Sequence, residues 1–172
     1  MKVINVITLG TYCTDKATEL SGTLTHWLYD LDGHIEYVFQ PRGLDEEGQP
    51  VQTLRIIAER LDVKQENYEK VRVPSEILGT TVREKASGFE GMAVSFIRHI
   101  NGCFHVIIQP KGLNPKNNAP ILRCEFDLRS CEGEMITQLA EAKLKRSKVK
   151  KPSPVKINLD SIPKTQKTNF SI

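Results

Sequence analysis

Metal ligation and nucleophilic attack are the two chemistries open to the four histidines and four cysteines of this sequence. A zinc site needs three or four N, S or O donors converging on one point, and chains that supply them carry spacings such as C-x2-C or H-x3-H. His26, His34, His99 and His105, with Cys13, Cys103, Cys124 and Cys131, contain no such pair. The nearest approach is Cys103 with His105, two residues apart on one face of a strand where only Ile107 and Gln109 join them. Cys103 with His99 or His105 would be the one candidate for a thiol nucleophile and its base, but such sets are recognised by geometry and roles, and the first copy has His34 and Glu36 in place of Cys103 and His105. Asp45, Glu46 and Glu47 read as a solvated turn rather than an acid/base pair. Neither GxGxxG nor GxxxxGK[ST] is present to cradle a phosphate. No catalytic residue, metal or cofactor is expected, and the chain reads as a binding or assembly protein.

The elements that would carry these residues are written twice. An ungapped offset of 69 residues lays Leu9–Leu44 on Leu78–Leu113 with 11 identities in 36 positions, where ordinary residue usage gives about two. The identities are Leu9, Gly10, Thr11, Lys16, Ala17, Gly22, Gly33, Gln40, Pro41, Gly43 and Leu44. One extra residue in the loop after Leu113 extends the match to Val51–Leu61 and Ile121–Cys131.

Within each copy, Asp32-Gly33 and Asn101-Gly102 signal a hairpin with a two-residue type I′ turn. Period-two alternation on the returning strand puts Ile35, Tyr37 and Phe39, and likewise Phe104, Val106 and Ile108, on one apolar core face. Trp27 and Phe96 align and are expected in the core, while Tyr12 and Tyr29 lack aromatic counterparts and are candidates for a contact peculiar to the first copy. Leu54, Ile57, Ala58 and Leu61 have helical spacing, but their counterparts in the second copy do not. The repeat therefore predicts a strand over Val51–Ile57 and Ile121–Asp127, each closing in one helical turn. Asp62 to Val73 reads as a charged connector.

The fold class that follows is mainly β: two tandem SH3-like small β-barrels, a short helix and an extended basic C-terminal arm. The divisions are 1–70 for the first barrel and connector, 71–133 for the second barrel, and 134–172 for the helix and arm. Met135, Ile136, Leu139, Ala140 and Leu144 mark the apolar face of a helix of about three turns.

Charge is uneven along the chain. Residues 1–140 hold 15 Lys+Arg and 19 Asp+Glu, a balance of −4; residues 141–172 hold 9 and 2, a balance of +7. The partner-binding candidates are accordingly Lys143, Lys145, Arg146, Lys148, Lys150, Lys151, Lys156 and Phe170. Such an arm can dock on an acidic protein surface or neutralise phosphates in a salt-dependent way. Hydrophobic residues make up 39% of the chain, with no apolar run of membrane-spanning length and no signal-peptide pattern. A soluble, non-secreted protein with no membrane partner is expected, its scattered cysteines reduced.

The run from Val82 through Lys85, Gly88, Phe89 and Gly91, then Asn101-Gly102-Cys103, Gln109-Pro110 and Phe126-Asp127, resembles a recurrent small module of tailed bacteriophages and prophages. The consensus of that module is near GxxVxDKxTGFxG, NGC, VQP and FDE. The first copy departs from it at Glu19, His34 and Ile56-Ile57. The resemblance covers residues 9–132 and implies SH3-like barrels of phage origin. It suggests a virion protein assembled in the host cytoplasm, in many copies, against other phage structural proteins: a capsid decoration or cement protein, or a head–tail or tail accessory component. The alternative is a nucleic-acid-binding or host-directed phage protein with Tudor- or KOW-like barrels and the basic arm. A third reading is a counter-defence protein that sequesters a signalling nucleotide.

Overall fold

The computed structural model describes residues 1–149, with side chains through 141. It is mainly β. The strands are β1 (Lys2–Ile7), β2 (Tyr12–Asp15), β3 (Ser21–Asp30), β4 (Ile35–Pro41), β5 (Leu54–Ile57), β6 (Leu61–Asp62), β7 (Tyr68–Val73), β8 (Thr81–Glu84), β9 (Glu90–His99), β10 (Phe104–Gln109), β11 (Cys124–Asp127) and β12 (Cys131–Glu132). One helix, α1 (Glu134–Val149), follows. β1 and β7 form a two-stranded antiparallel sheet, and the other ten strands form one larger sheet.

Each copy runs in the order β6-β2-β3-β4-β5, repeated as β12-β8-β9-β10-β11. A 3-10 turn, Ala58–Arg60 or Leu128–Ser130, joins β5 to β6 and β11 to β12. The strand therefore prevails over the helical spacing at Leu54–Ile57, as the repeat predicts. It begins at Leu54 and Cys124, three residues later than expected. The delay has a cause: the amide of Gln40 donates to Val51 O at 2.7 Å and that of Gln109 to Ile121 O at 2.8 Å. A side chain replaces the sheet ladder there. In neither copy do the pairings close into a ring.

Both hairpins form, but with a different turn. Only the glycine takes positive φ, 92° at Gly33 and 85° at Gly102. Gly33 N donates to Asp30 O, and Asp30 N to His34 O, a pattern repeated at His99, Gly102 and Cys103. This is the longer hairpin in which a turn is followed by one left-handed residue, not the type I′ turn. Asp32 and Asn101 serve otherwise, their carboxylate and amide oxygens accepting from His34 N and Cys103 N.

The expected connector is also more ordered than a linker. It holds a 3-10 turn, Gln65–Asn67, and β7, which pairs with β1 from Lys2↔Val73 to Ile7↔Tyr68. Alternation in VINVI and VRV buries Ile4, Val6, Val71 and Val73.

The two copies meet through β3 and β9, antiparallel, with Leu28 opposite Ile97. Those two residues are each other's counterparts at the 69-residue offset. The contact is thus self-complementary, as across a twofold axis. Its flanks repeat the symmetry: Ile100 N donates to Thr25 O, and Leu31 N to Val94 O, both at 2.9 Å. Core residues from both copies, Trp27 and Phe96 among them, belong to one cluster, onto which Met135, Ile136 and Leu139 of α1 pack. Tyr29 is buried in that cluster, its hydroxyl accepting from Lys2 Nζ at 2.9 Å, so of the two unmatched tyrosines Tyr12 alone is exposed.

Most positions identical in the two copies are consumed by this architecture. A Cβ on Gly22 would stand 2.2 Å from Gln40 O, and one on Gly91 2.3 Å from Gln109 O. Lys16 Nζ donates to Glu59 O and Lys85 Nζ to Arg129 O, tying the first strand of each copy to its 3-10 turn. Beside each lysine lies a buried acid. Asp15 accepts from Ala17 N, Thr18 Oγ1 and Arg60; Glu84 accepts from Ala86 N, Ser87 N and Ser87 Oγ. These bonds, led by Arg60 at Asp15 and Ser87 at Glu84, hold both carboxyls down to about 2.

Candidate functional site

On the outer face of the large sheet the two copies carry different polar groups, and a β-bulge in each sets which residues lie there. In β3 the register skips Thr25, between Leu24↔Phe39 and His26↔Val38; in β9 it skips Val94, the residue 69 positions on. An extra residue shifts the alternation and bends the strand. Before the bulge, Leu24 and Ala93 face the core; after it Trp27, Tyr29 and Phe96 do. His26, Leu28, Ile97 and His99 are thereby turned to the opposite face, where Leu28, Ile97 and Ile107 form a small second cluster with Val38 and Val94.

Beside that cluster three strands bring three polar groups together. His105 pairs with Ile97 across β9–β10 and with Asp127 across β10–β11, while Glu125 lies opposite Ile107. His99, His105 and Glu125 therefore step diagonally across β9, β10 and β11, within the reach of cross-strand side chains. His105 Nδ1 lies 2.6 Å from Glu125 Oε1, His99 Nε2 lies 3.2 Å from the same oxygen, and the two nitrogens are 3.1 Å apart. The side chains are 20% (His99), 28% (His105) and 41% (Glu125) exposed, so the group sits at the surface with one side to solvent.

His26 borders the group from β3, directly opposite His99, its ring edge-on to that of His99 with centroids 4.2 Å apart. Thr25 Oγ1 lies 2.8 Å from His26 Nδ1 and fixes the ring. Burial is the first cause that pushes His26 below the usual imidazole range, with His99 second, Glu125 acting against them, and His105 adding to the lowering.

The corresponding residues of the first copy are Asp30, Glu36 and Arg55. There Arg55 Nη1 and Glu36 Oε2 form an ion pair at 3.6 Å. The same diagonal carries a salt bridge in one copy and a histidine–carboxylate group in the other.

A second difference lies at the hairpin tips. A cavity of about 460 Å³ is lined by Gly102, Cys103, Phe104, Asp127 and Arg129 among others, and one of about 540 Å³ by the counterparts Gly33, His34, Ile35, Ile57 and Glu59. Arg129 Nη2 donates to Asp127 Oδ2 at 2.7 Å and reaches to 3.9 Å from Cys103 Sγ. Arg129 is the main cause that holds the Asp127 carboxyl at about 2. The pairing of Asp127 with Arg129 leaves neither group as a base for the thiol. All four cysteines are free; Cys13 and Cys131 are buried where the other copy has Val82 and Leu61.

Of the partner-binding candidates, Lys143, Lys145, Arg146 and Lys148 fall within α1, of which only the backbone is described there. Lys150, Lys151, Lys156 and Phe170 lie outside the described residues. The sequence reading placed only Ile107 and Gln109 near Cys103 and His105. The neighbours that matter to His105 come instead from adjacent strands. The available signal was the concerted exchange of Asp30, Glu36 and Arg55 for His99, His105 and Glu125 at aligned positions. No protein-family model, no curated protein and no solved structure matches the chain.

Proposed function

We propose that this chain is a non-enzymatic component of a bacteriophage particle, a decoration, cement or head–tail or tail accessory protein. In this reading each copy is an SH3-like barrel. The strand order β6-β2-β3-β4-β5, with a 3-10 turn carrying the chain from β5 to β6, supports that reading. So does the resemblance of residues 9–132 to small phage modules. The two barrels are fused through the kind of self-complementary edge contact by which separate subunits assemble.

The observation that carries the proposal is a pair of leucines. Leu44 and Leu113 are identical between the copies, yet they are 67% and 58% exposed. Their backbones make the isolated bridges to Pro50 and Pro120, and their side chains stand largely in solvent. The same apolar side chain presented at both symmetry-related loops is a bivalent contact. Bivalent engagement of a repeating surface multiplies affinity without any new kind of contact. The basic end of α1, with Lys143, Lys145, Arg146 and Lys148, and the basic arm that follows it then reach across neighbouring subunits in a particle assembled in the host cytoplasm.

Mass spectrometry of purified particles tests this. The wild-type chain is expected at many copies per particle, and the double variant Leu44→Asp/Leu113→Asp, melting at the wild-type temperature, is expected to be missing from them. A chain that stays monomeric and is absent from particles overturns the proposal. Salt-sensitive binding to DNA or RNA that vanishes on removing residues 143–172 would instead favour a nucleic-acid-binding protein.

A further inference from the structure

We propose that His99, His105 and Glu125 form a binding site for one divalent transition-metal cation, with zinc the best match to the donor set. The inference is independent of the assembly reading, since it rests on residues that the two exposed leucines do not touch.

Three features lead to it. The first is donor chemistry. Two imidazole nitrogens and one carboxylate oxygen are the ligands borderline metals take, and three protein ligands with a solvent-facing fourth position form a recognised zinc arrangement. The second is spacing. Ligands at 2.0–2.1 Å from a tetrahedral metal stand about 3.3 Å from one another. The His99 Nε2–His105 Nδ1 and His99 Nε2–Glu125 Oε1 separations are 3.1 and 3.2 Å. The third edge, 2.6 Å from His105 Nδ1 to Glu125 Oε1, needs only a small rotation of the half-exposed glutamate to open.

The third feature is that protons satisfy this triangle poorly. Each ring nitrogen carries at most one hydrogen and the carboxylate carries none. If both rings donate to Glu125, two N–H groups crowd onto one oxygen with their nitrogens 3.1 Å apart; if one ring donates to the other, the acceptor's lone pair is occupied and its contact with Glu125 is unbonded. A cation at the centre accepts all three lone pairs at once. All three ligand atoms already lie within 4.8 Å of one another. They come from three paired strands, so little chain ordering is left to oppose binding.

The bland account is a surface hydrogen-bonded cluster with no ion, and the experiment separates the two. Untagged full-length protein is titrated calorimetrically with Zn2+ and, for its visible spectrum, with Co2+ at neutral pH. One cation per chain is expected, with a tetrahedral Co2+ spectrum. At a hundredfold excess over Kd, Zn2+ raises Tm by about 5–10 °C. His105→Ala and Glu125→Gln each weaken binding more than ~100-fold, beyond what loss of a supporting residue causes. His34→Ala, an exposed histidine on the other hairpin, leaves it unchanged. Each variant's metal-free melting temperature reports whether it is folded. No saturable heat and no Tm shift with millimolar Zn2+, or binding that survives His105→Ala in a folded variant, overturns the proposal.

Discussion

Replacing Gly91 by Ala tests the strand geometry on which the outer face depends. Gly91 lies in β9 just before the bulge, and its backbone crosses the end of β10 at close range. A methyl group there would sit 2.3 Å from Gln109 O, 2.6 Å from Gln109 C and 2.8 Å from Pro110 N. All three are backbone atoms of the neighbouring strand, so no rotamer change relieves the clash. β9 and β10 must separate by nearly an ångström around the Met92↔Gln109 pair. That weakens about two ladder hydrogen bonds at ~1 kcal/mol each. It also strains a packed site at a cost of about 1–3 kcal/mol. Gln109 moves too, loosening its amide bonds to Pro110 O and Ile121 O.

The sum is about 3–5 kcal/mol. For a chain of this length 1 kcal/mol lowers Tm by about 2–4 °C, which predicts a fall of at least ~6 °C. Gly102→Ala is the control. A Cβ there meets nothing within 4 Å, although φ is 85°. It therefore costs only the left-handed penalty of about 1 kcal/mol. Differential scanning calorimetry and urea unfolding of the two variants give the comparison. A Gly91→Ala protein as stable as Gly102→Ala, or within about 1 kcal/mol of wild type, would refute the close approach of β9 to β10.

Two further outcomes follow from local chemistry. Asp15, Glu84 and Asp127 are held at about 2, against about 4 in an unfolded chain. A folded pKa below the unfolded one stabilises fully above the unfolded value and is lost as pH falls through the folded value. Thermal melts should therefore change little down to about pH 5 and then fall steeply between about pH 4 and pH 2. Asp15→Asn should flatten that fall, and a stability that rises on acidification would contradict it. Glu19, where the second copy has Gly88, takes φ of 61°, and its amide donates to Asp15 O just as Gly88 N does to Glu84 O. Glu19→Gly should stabilise the protein by about 1 kcal/mol in urea unfolding, and an equal loss would show that the left-handed residue is not strained.

What could be read in the sequence was whatever the chain states locally or states twice. The hairpin glycines, the alternation through Tyr37, Phe39, Val106 and Ile108, and the preference for strand over helix at Leu54–Ile57 are all of this kind. The turn type was missed because Asp-Gly and Asn-Gly suit more than one hairpin, and the choice depends on where the flanking strands stop pairing. The strand β7 was missed because its partner, β1, lies 66 residues away and outside the repeat. The histidine group was missed for a sharper reason. His99 and His105 read as unrelated until β9 is laid beside β10 and the bulge at Val94 resets which side chains of β9 share a face. Glu125 reaches them only through a third strand.

Duplication explains how the polar groups of that face can differ between the copies. A contact centred on Leu28 and Ile97 requires both copies to keep the bulge, the glycines that let strands approach, and the apolar residues flanking the axis. Each is constrained from two sides, by its own copy and by the other. On the solvent side, Glu36 and Arg55 or His105 and Glu125 lie outside the β3–β9 pairing, and Asp30 or His99 joins it through backbone that any residue can supply. Changing them in one copy leaves the pairing intact, so a fused pair can carry a group that a symmetric dimer would have to carry twice. The salt bridge of one copy and the convergent imidazoles of the other are the two results of that freedom. It is in the second copy, not in the shared scaffold, that the chain has acquired donors able to hold a cation.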